Sequence, residues 1–208
     1  MNPTIDPKLR QHTLTYQEYH DLMAELVTHS SKGRYTESLI NYTRMNIIRM
    51  ERLDKTTKLQ GLSNERLASV DRALYWYVLT EPWCGDAAQI LPVLEKLQAL
   101  NPNIVMGMLL RDDHLDLMDQ FLTDGTRSIP KVIITDAKTH QVLGTWGPRP
   151  FIAHGMMMKG LTTWRAMEEG EEKRLFHRDL YTKLQKWYAR DKTTSIQEEF
   201  TEVLVKSI

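Results

Sequence analysis

Apolar and polar positions recur with a helical period at both ends of the chain and with a strand-like pattern in the middle. Thr15-Tyr16-Gln17-Glu18 has the hydroxyl-to-carboxylate spacing of a capping box, and Tyr19, Leu22, Met23, Leu26 and Val27 follow at helical spacing. Before it, Pro3 and Pro7 mark residues 1–13 as an extended arm. Ser30-Ser31-Lys32-Gly33 breaks the first helix. A second is expected from about 36 to about 58, with Leu39, Ile40, Tyr42, Met45, Ile47, Ile48, Met50 and Leu53 as its apolar face. Arg44, Arg49, Glu51 and Arg52 take its wet side. Gly61 ends that helix, and Ser63-Asn64 can cap a short one through Arg72.

The central pattern differs. Residues 73–80 are almost continuously apolar, which suits a central strand covered on both faces. A helical pattern runs from Ala87 through Pro92 to about residue 100, and residues 104–110 form the next strand, parallel to the first because a helix connects them. Arg111-Asp112-Asp113-His114-Leu115-Asp116 opens another helix, capped by Asp112 or Asp113, with Leu115, Leu117, Met118, Phe121 and Leu122 on its apolar face. This segment is rich in oxygen ligands but lacks the ordered ligand loop of a calcium site, so no metal is assigned to it. Asp124-Gly125-Thr126 is a turn, and Ile129-Pro130 leads into a strand over 131–135. A hairpin connection at 136–140 then gives an antiparallel partner over 141–146.

Gly147-Pro148-Arg149-Pro150 stops the last strand. Arg149 has two readings there, as a partner for an anionic ligand group such as a carboxylate or as a solvated loop residue. Helix resumes over 152–167, bearing Met156, Met157, Leu161 and Trp164, weakened at Gly160 and broken near Gly170. Residues 171–189 form a basic amphipathic helix with Leu175, Phe176, Leu180, Leu184, Trp187 and Tyr188. Packing against the N-terminal helices or a second subunit is expected of it, ahead of a membrane-surface or partner role. A last helix runs from Ser195, a candidate cap, to Val205.

Composition narrows the function classes. The 208 residues carry 27 Lys and Arg against 27 Asp and Glu, interspersed, so no basic surface for nucleic acid is indicated. No run approaches the roughly 20 apolar residues that span a bilayer. Met1-Asn2-Pro3-Thr4-Ile5-Asp6 lacks the basic-then-apolar pattern of a secretory signal. The single cysteine excludes a disulfide framework. A soluble protein of a reducing cytoplasm is the expectation.

That cysteine lies in Trp83-Cys84-Gly85-Asp86-Ala87, where the central strand gives way to a helix. The segment resembles the thioredoxin superfamily. Trp83-Cys84-Gly85 matches the first half of the family's Trp-Cys-Gly-Pro-Cys site, Pro92 its kinking proline, Ile129-Pro130 its cis-proline, and Gly144 a glycine near the end of its sheet. The resemblance covers roughly residues 70–165 and is nearest to bacterial thioredoxin-like proteins reading Glu-Pro-Trp-Cys-Gly-Asp, as Glu81 to Asp86 do. It implies an α/β thioredoxin-like fold, with a mixed sheet flanked by helices. Residues 1–69 form an N-terminal arm and helical extension, 70–165 the core, and 166–208 a C-terminal helical extension. It implies Cys84 as nucleophile in a motif completed by Trp83, Gly85, Asp86 and Ala87, with Ile129 and Pro130 as the substrate platform. It implies no metal and no cofactor.

The sequence also departs from that pattern. Ala87 occupies the place of the second cysteine, Asp86 that of the proline, and Val78 that of the family's buried acid. An internal dithiol cycle is therefore impossible. A helix N-terminus lowers the thiol pKa, whereas Asp86 and burial against Trp83 raise it. Three readings of Cys84 follow. It is a monothiol oxidoreductase or thiol carrier, resolved by an external thiol, with a protein or low-molecular-weight disulfide as substrate and sulfenic-acid sensing as a variant. Alternatively, the chain is a non-catalytic thioredoxin-fold interaction module. In the third reading, Cys84 is a small buried residue. A homodimer through the helical extensions is a further expectation.

Overall fold

A computed structural model describes residues 3–29 and 33–208. Its centre is β1 (Leu74–Thr80), buried along its whole length. The sheet order is β2-β1-β3-β4. β2 (Ile104–Leu110) runs parallel to β1, joined through α4 (Ala87–Gln98). β3 (Lys131–Asp136) runs antiparallel on the other side, with Val78 opposite Val132, and β4 (Val142–Trp146) closes that edge antiparallel to β3. The mixed sheet flanked by helices is the α/β architecture expected. Continuous apolar character in β1 follows from its position, since neighbouring strands hold its edges and helices cover its faces.

The helical additions are integral to this core. α1 (Tyr16–Thr28) starts at the Thr15–Glu18 capping box. The break expected at 30–33 lies outside the described residues except for Gly33, whose φ is 80°. Upstream, Pro7–His12 is a short 3-10 helix rather than extended arm, with the Asp6 carboxylate accepting from Lys8 N–H. α2 (Glu37–Thr56) buries Ile40, Thr43, Asn46, Met50 and Leu53. Tyr42, Met45 and Ile48, expected on the apolar face, are exposed. The buried stripe includes Asn46 because its amide donates to Pro82 O at 2.9 Å, and that bond compensates for burying a polar group. α3 (Gly61–Ala68) begins at Gly61 instead of following it, and Ser63 lies inside the helix.

Beyond β2, Arg111–Asp113 is a 3-10 turn followed by the one-turn α5 (Leu115–Met118). Asp112 and Asp113 make no cap; they pair with Arg111 and Arg34 instead. Leu117, Met118 and Phe121 are buried, while Leu122 is exposed. The bonds Ile129–Pro130 and Gly147–Pro148 are both cis.

α6 (Phe151–Ala166) leads to α7 (Glu171–Asp191), and the two pack together. Gly160 makes this possible: a Cβ there would lie 2.3 Å from Leu180 Cδ1. α8 (Thr194–Ser207) starts one residue before Ser195, which is not the cap but bonds back to the Asp191 carboxylate. α8 lies on β4 and α3, and its Phe200 is fully buried between Trp76 and Trp146. A buried aromatic of this kind contributes about 1.5–3 kcal/mol. Gly144 in β4 gives α8 room, since a Cβ there would collide with the Ser207 hydroxyl. Among the described residues, no helix is long and apolar enough to cross a membrane.

Candidate functional site

The turn that carries Cys84 is made by the end of β1 and the start of α4. Cys84 N–H donates to Glu81 O at 2.9 Å, and Ala88 N–H donates to Cys84 O at 3.2 Å, so the cysteine closes a turn and opens a helix. Its sulfur sits within two bonding contacts. The thiol donates to Ile129 O at 3.4 Å, and Ala87 N–H donates to the sulfur at 3.5 Å. The first contact favours the protonated thiol, because a thiolate has no proton to offer a carbonyl oxygen. The second favours the thiolate. Burial decides between them. Cys84 is 7% exposed, and desolvation, reinforced by the Asp86 carboxylate, pushes the thiol up to about 12. The Ala87 and Asp86 N–H groups and Arg149 act in the opposite direction without overcoming this. At neutral pH, the site holds a neutral thiol.

The residues expected from the motif do gather here. Trp83 is half-buried, with the Arg111 guanidinium 5.1 Å from its ring centroid. Ala87 is buried beside the sulfur, and Ile129 and Pro130 supply the loop across from it. Gly85 is partly exposed between Gln185 and Arg49: a Cβ there would lie 3.4 Å from Gln185 Nε2 and 3.5 Å from Arg49 Nη1.

Asp86 is buried and does not cap α4. Its Oδ1 accepts from Tyr188 Oη at 2.8 Å, and its Oδ2 lies 2.7 Å from Arg149 Nη2. Arg149, read from sequence either as ligand partner or as solvated loop, is neither. Its guanidinium is largely buried and neutralises Asp86. Burial and the Asp86 charge hold the Tyr188 phenol well above the ordinary tyrosine range, so it remains a donor. Beside this cluster, Gln89 Nε2 donates to Gln185 Oε1 at 2.7 Å. α7 thus lies over the turn, through Gln185 and Tyr188.

A second carboxylate flanks the turn. Glu81 is fully buried, accepting from Asp112 N–H at 2.9 Å and from Tyr35 Oη at 3.4 Å. Burial raises its pKa, as does the Asp112 charge, against the Asp112 N–H, Arg34 and Arg111. Asn46 fixes the intervening Pro82 carbonyl and is itself held by Arg49 at 2.8 Å. Sequence reading missed Tyr35, Asn46, Gln185 and Tyr188 as site residues. The available signal was Asp86: an acid beside a buried thiol requires a donor or cation from elsewhere in the chain. Among the described residues, no three or more His, Cys, Asp or Glu side chains converge as metal ligands.

One solved structure and one family model share this architecture. A crystal structure of an HIV epitope scaffold is 19% identical, with a TM-score of 0.52, covering 92% of this chain and 98% of that one. A protein of unknown function from Pseudomonas aeruginosa is 22% identical, with a TM-score of 0.47, covering 83% of this chain and 96% of that one. No curated protein matches significantly. The family model described as Thioredoxin matches residues 33–168, from the start of the α2 segment to the end of α6. The chain therefore belongs to the thioredoxin-like family.

Proposed function

We propose that the protein is a monothiol thioredoxin-like oxidoreductase or thiol carrier acting through Cys84. The observation that supports this most is the position of the sulfur, 3.4 Å from Ile129 O beside Pro130 and within reach of the Ala87 N–H at the start of α4. A thiol presented between a helix N-terminus and an extended loop can attack a disulfide whose chain lies along that loop. The Cys84 thiolate attacks one sulfur of R–S–S–R′. A Cys84–S–S–R bond forms, the S–S bond of the substrate breaks, and R′–S⁻ leaves and takes a proton. A second thiol R″–SH, as thiolate, then attacks the sulfur of R, restoring Cys84 and releasing R–S–S–R″. Ala87 cannot perform this second step, so the resolving thiol comes from another molecule. A protein or low-molecular-weight disulfide is the proposed substrate, and a reducing cytoplasm the proposed setting.

The raised thiol pKa means that the closed arrangement is not the attacking one. It also supports the second reading, a non-catalytic interaction module, for which Phe151 at 81% and Ile152 at 62% exposure offer apolar contact. Incubation with oxidised glutathione, followed by intact-mass analysis, separates the two. The first reading expects a mixed disulfide on the native chain that added thiol removes and that Cys84→Ser abolishes. An unmodified native chain that reacts only after unfolding leaves the interaction module standing.

A further inference from the structure

The proposed chemistry needs Cys84 to meet a disulfide, yet the thiol is buried and its turn lies under a helix. We propose that α7 is a hinged cover over the Cys84 turn, held shut by the Tyr188–Asp86 and Gln185–Gln89 hydrogen bonds, and that its release controls access to the thiol. This inference rests on the monothiol reading, because it supplies the regulation of that site.

The character of α7 supports a movable element. It buries only Lys173, Leu180, Leu184 and Tyr188, a narrow stripe on a long helix otherwise dominated by charged and polar residues. Its backbone packs chiefly against α6, and it reaches the turn through the ends of long side chains. Both specific bonds to the turn are polar. Polar bonds exchange readily for water, so releasing them costs far less than exposing an apolar face of the same extent. The Tyr188–Asp86 bond is buried and the Gln185–Gln89 bond part-buried, and a helix that adds only a narrow apolar stripe to such bonds can open below the global unfolding free energy.

The two ends of α7 suit a hinge. Gly170 at its start has no side chain with which to cap the helix, and its end turns into α8 through Lys192 and Thr193, at φ 52° and 68°. The flanking helices remain anchored: α6 by Ala153 and Met157, and α8 by Phe200 and Leu204. Motion of α7 therefore leaves the sheet and its cover of α8 in place. Opening removes Tyr188 from Asp86 but leaves Arg149, which comes from the loop before α6, paired with that carboxylate. The charge beside Cys84 stays neutralised while the thiol gains water.

The test is the rate of Cys84 alkylation by iodoacetamide in the full-length chain, read by intact mass between 0 and 1 M urea. Global stability is read separately from tryptophan fluorescence in urea. Gln185→Ala, a change at a partly exposed side chain, and Tyr188→Phe, which keeps the ring, should each raise the rate, together by about tenfold or more. The rate should change little with urea in this range, because a local opening exposes little surface. Phe200→Leu is the control: it weakens the core away from α7 and should lower the urea midpoint without raising the rate at zero urea. The proposal is overturned if the rate follows global stability across all the variants, or if wild-type Cys84 already reacts as fast as a free thiol. If the double variant alkylates rapidly but forms no mixed disulfide with oxidised glutathione, the cover stands and the monothiol reading falls.

Discussion

Two buried carboxylates flank Cys84, and each receives a tyrosine from a different helical extension. Glu81 takes Tyr35 from the N-terminal side, and Asp86 takes Tyr188 from the C-terminal side. Their environments diverge from there. Asp86 has a guanidinium 2.7 Å away and a short phenol bond of 2.8 Å. Glu81 has no cation at salt-bridge distance among the described residues, a long phenol contact of 3.4 Å, and one good backbone donor at 2.9 Å. The first arrangement pairs its carboxylate with a cation beside the thiol. The second leaves a carboxylate that burial pushes towards its neutral form. Both extensions therefore complete the same turn, but only at Asp86 does a cation, Arg149 from the core, join the tyrosine.

Removing the cation from the Asp86 side should have the largest effect. Arg149→Met leaves a buried carboxylate with a single neutral donor, and loss of one partner from a buried pair costs about 3–5 kcal/mol. Urea unfolding should report a stability loss in that range. Asp86→Asn in the same chain should recover much of it, because the residue left unpaired then carries no charge. Additive losses would mean that the pair is not the reason Arg149 is buried. Tyr188→Phe comes next. It removes one hydrogen bond to a charged group, about 1.5–3 kcal/mol, without creating a cavity. Part of that loss should appear as local opening measured by alkylation, and part in the urea midpoint.

The fold was readable because it rests on period and on a few fixed geometric residues. A strand as apolar as residues 74–80 has few places to go but the centre of a sheet, and Pro130 and Gly144 fall where the closing hairpin needs them. Helix ends were less legible. Gly61 and Ser195 read as a stop and a cap, but both lie inside their helices, Ser195 bonding locally to the Asp191 carboxylate. The site was legible only as far as its local segment extends. Cys84, Gly85 and Asp86 are neighbours in sequence, whereas Tyr188 lies 102 positions from Asp86 and Gln185 lies 96 from Gln89. Tyr188 falls on the same periodic stripe as Leu180 and Leu184, so pattern alone presents it as another core residue. Asn46 was hidden for the converse reason: a polar residue on a buried stripe is visible only once its partner, the Pro82 carbonyl, is known.

The Glu81 side should respond to pH rather than to loss of a partner. The folded state raises the Glu81 pKa above its unfolded value near 4.5, so the folded chain binds the proton more tightly. Stability from this group is therefore present at low pH and is lost as pH rises through the raised folded value. Glu81→Gln keeps an oxygen for the Asp112 N–H and removes the charge. Its urea stability should match the wild type near pH 4.5 and exceed it at pH 7, and a variant less stable at both values would show that the carboxylate is favourably held. Tyr35→Phe should have the smallest effect. Its contact at 3.4 Å exceeds the normal range for an O–H···O bond, so its removal should cost no more than about 0.5 kcal/mol. Cys84 alkylation should stay at the wild-type rate, in contrast to Tyr188→Phe. An equal acceleration in both variants would make the two extensions equivalent covers and remove the distinction between the two carboxylates.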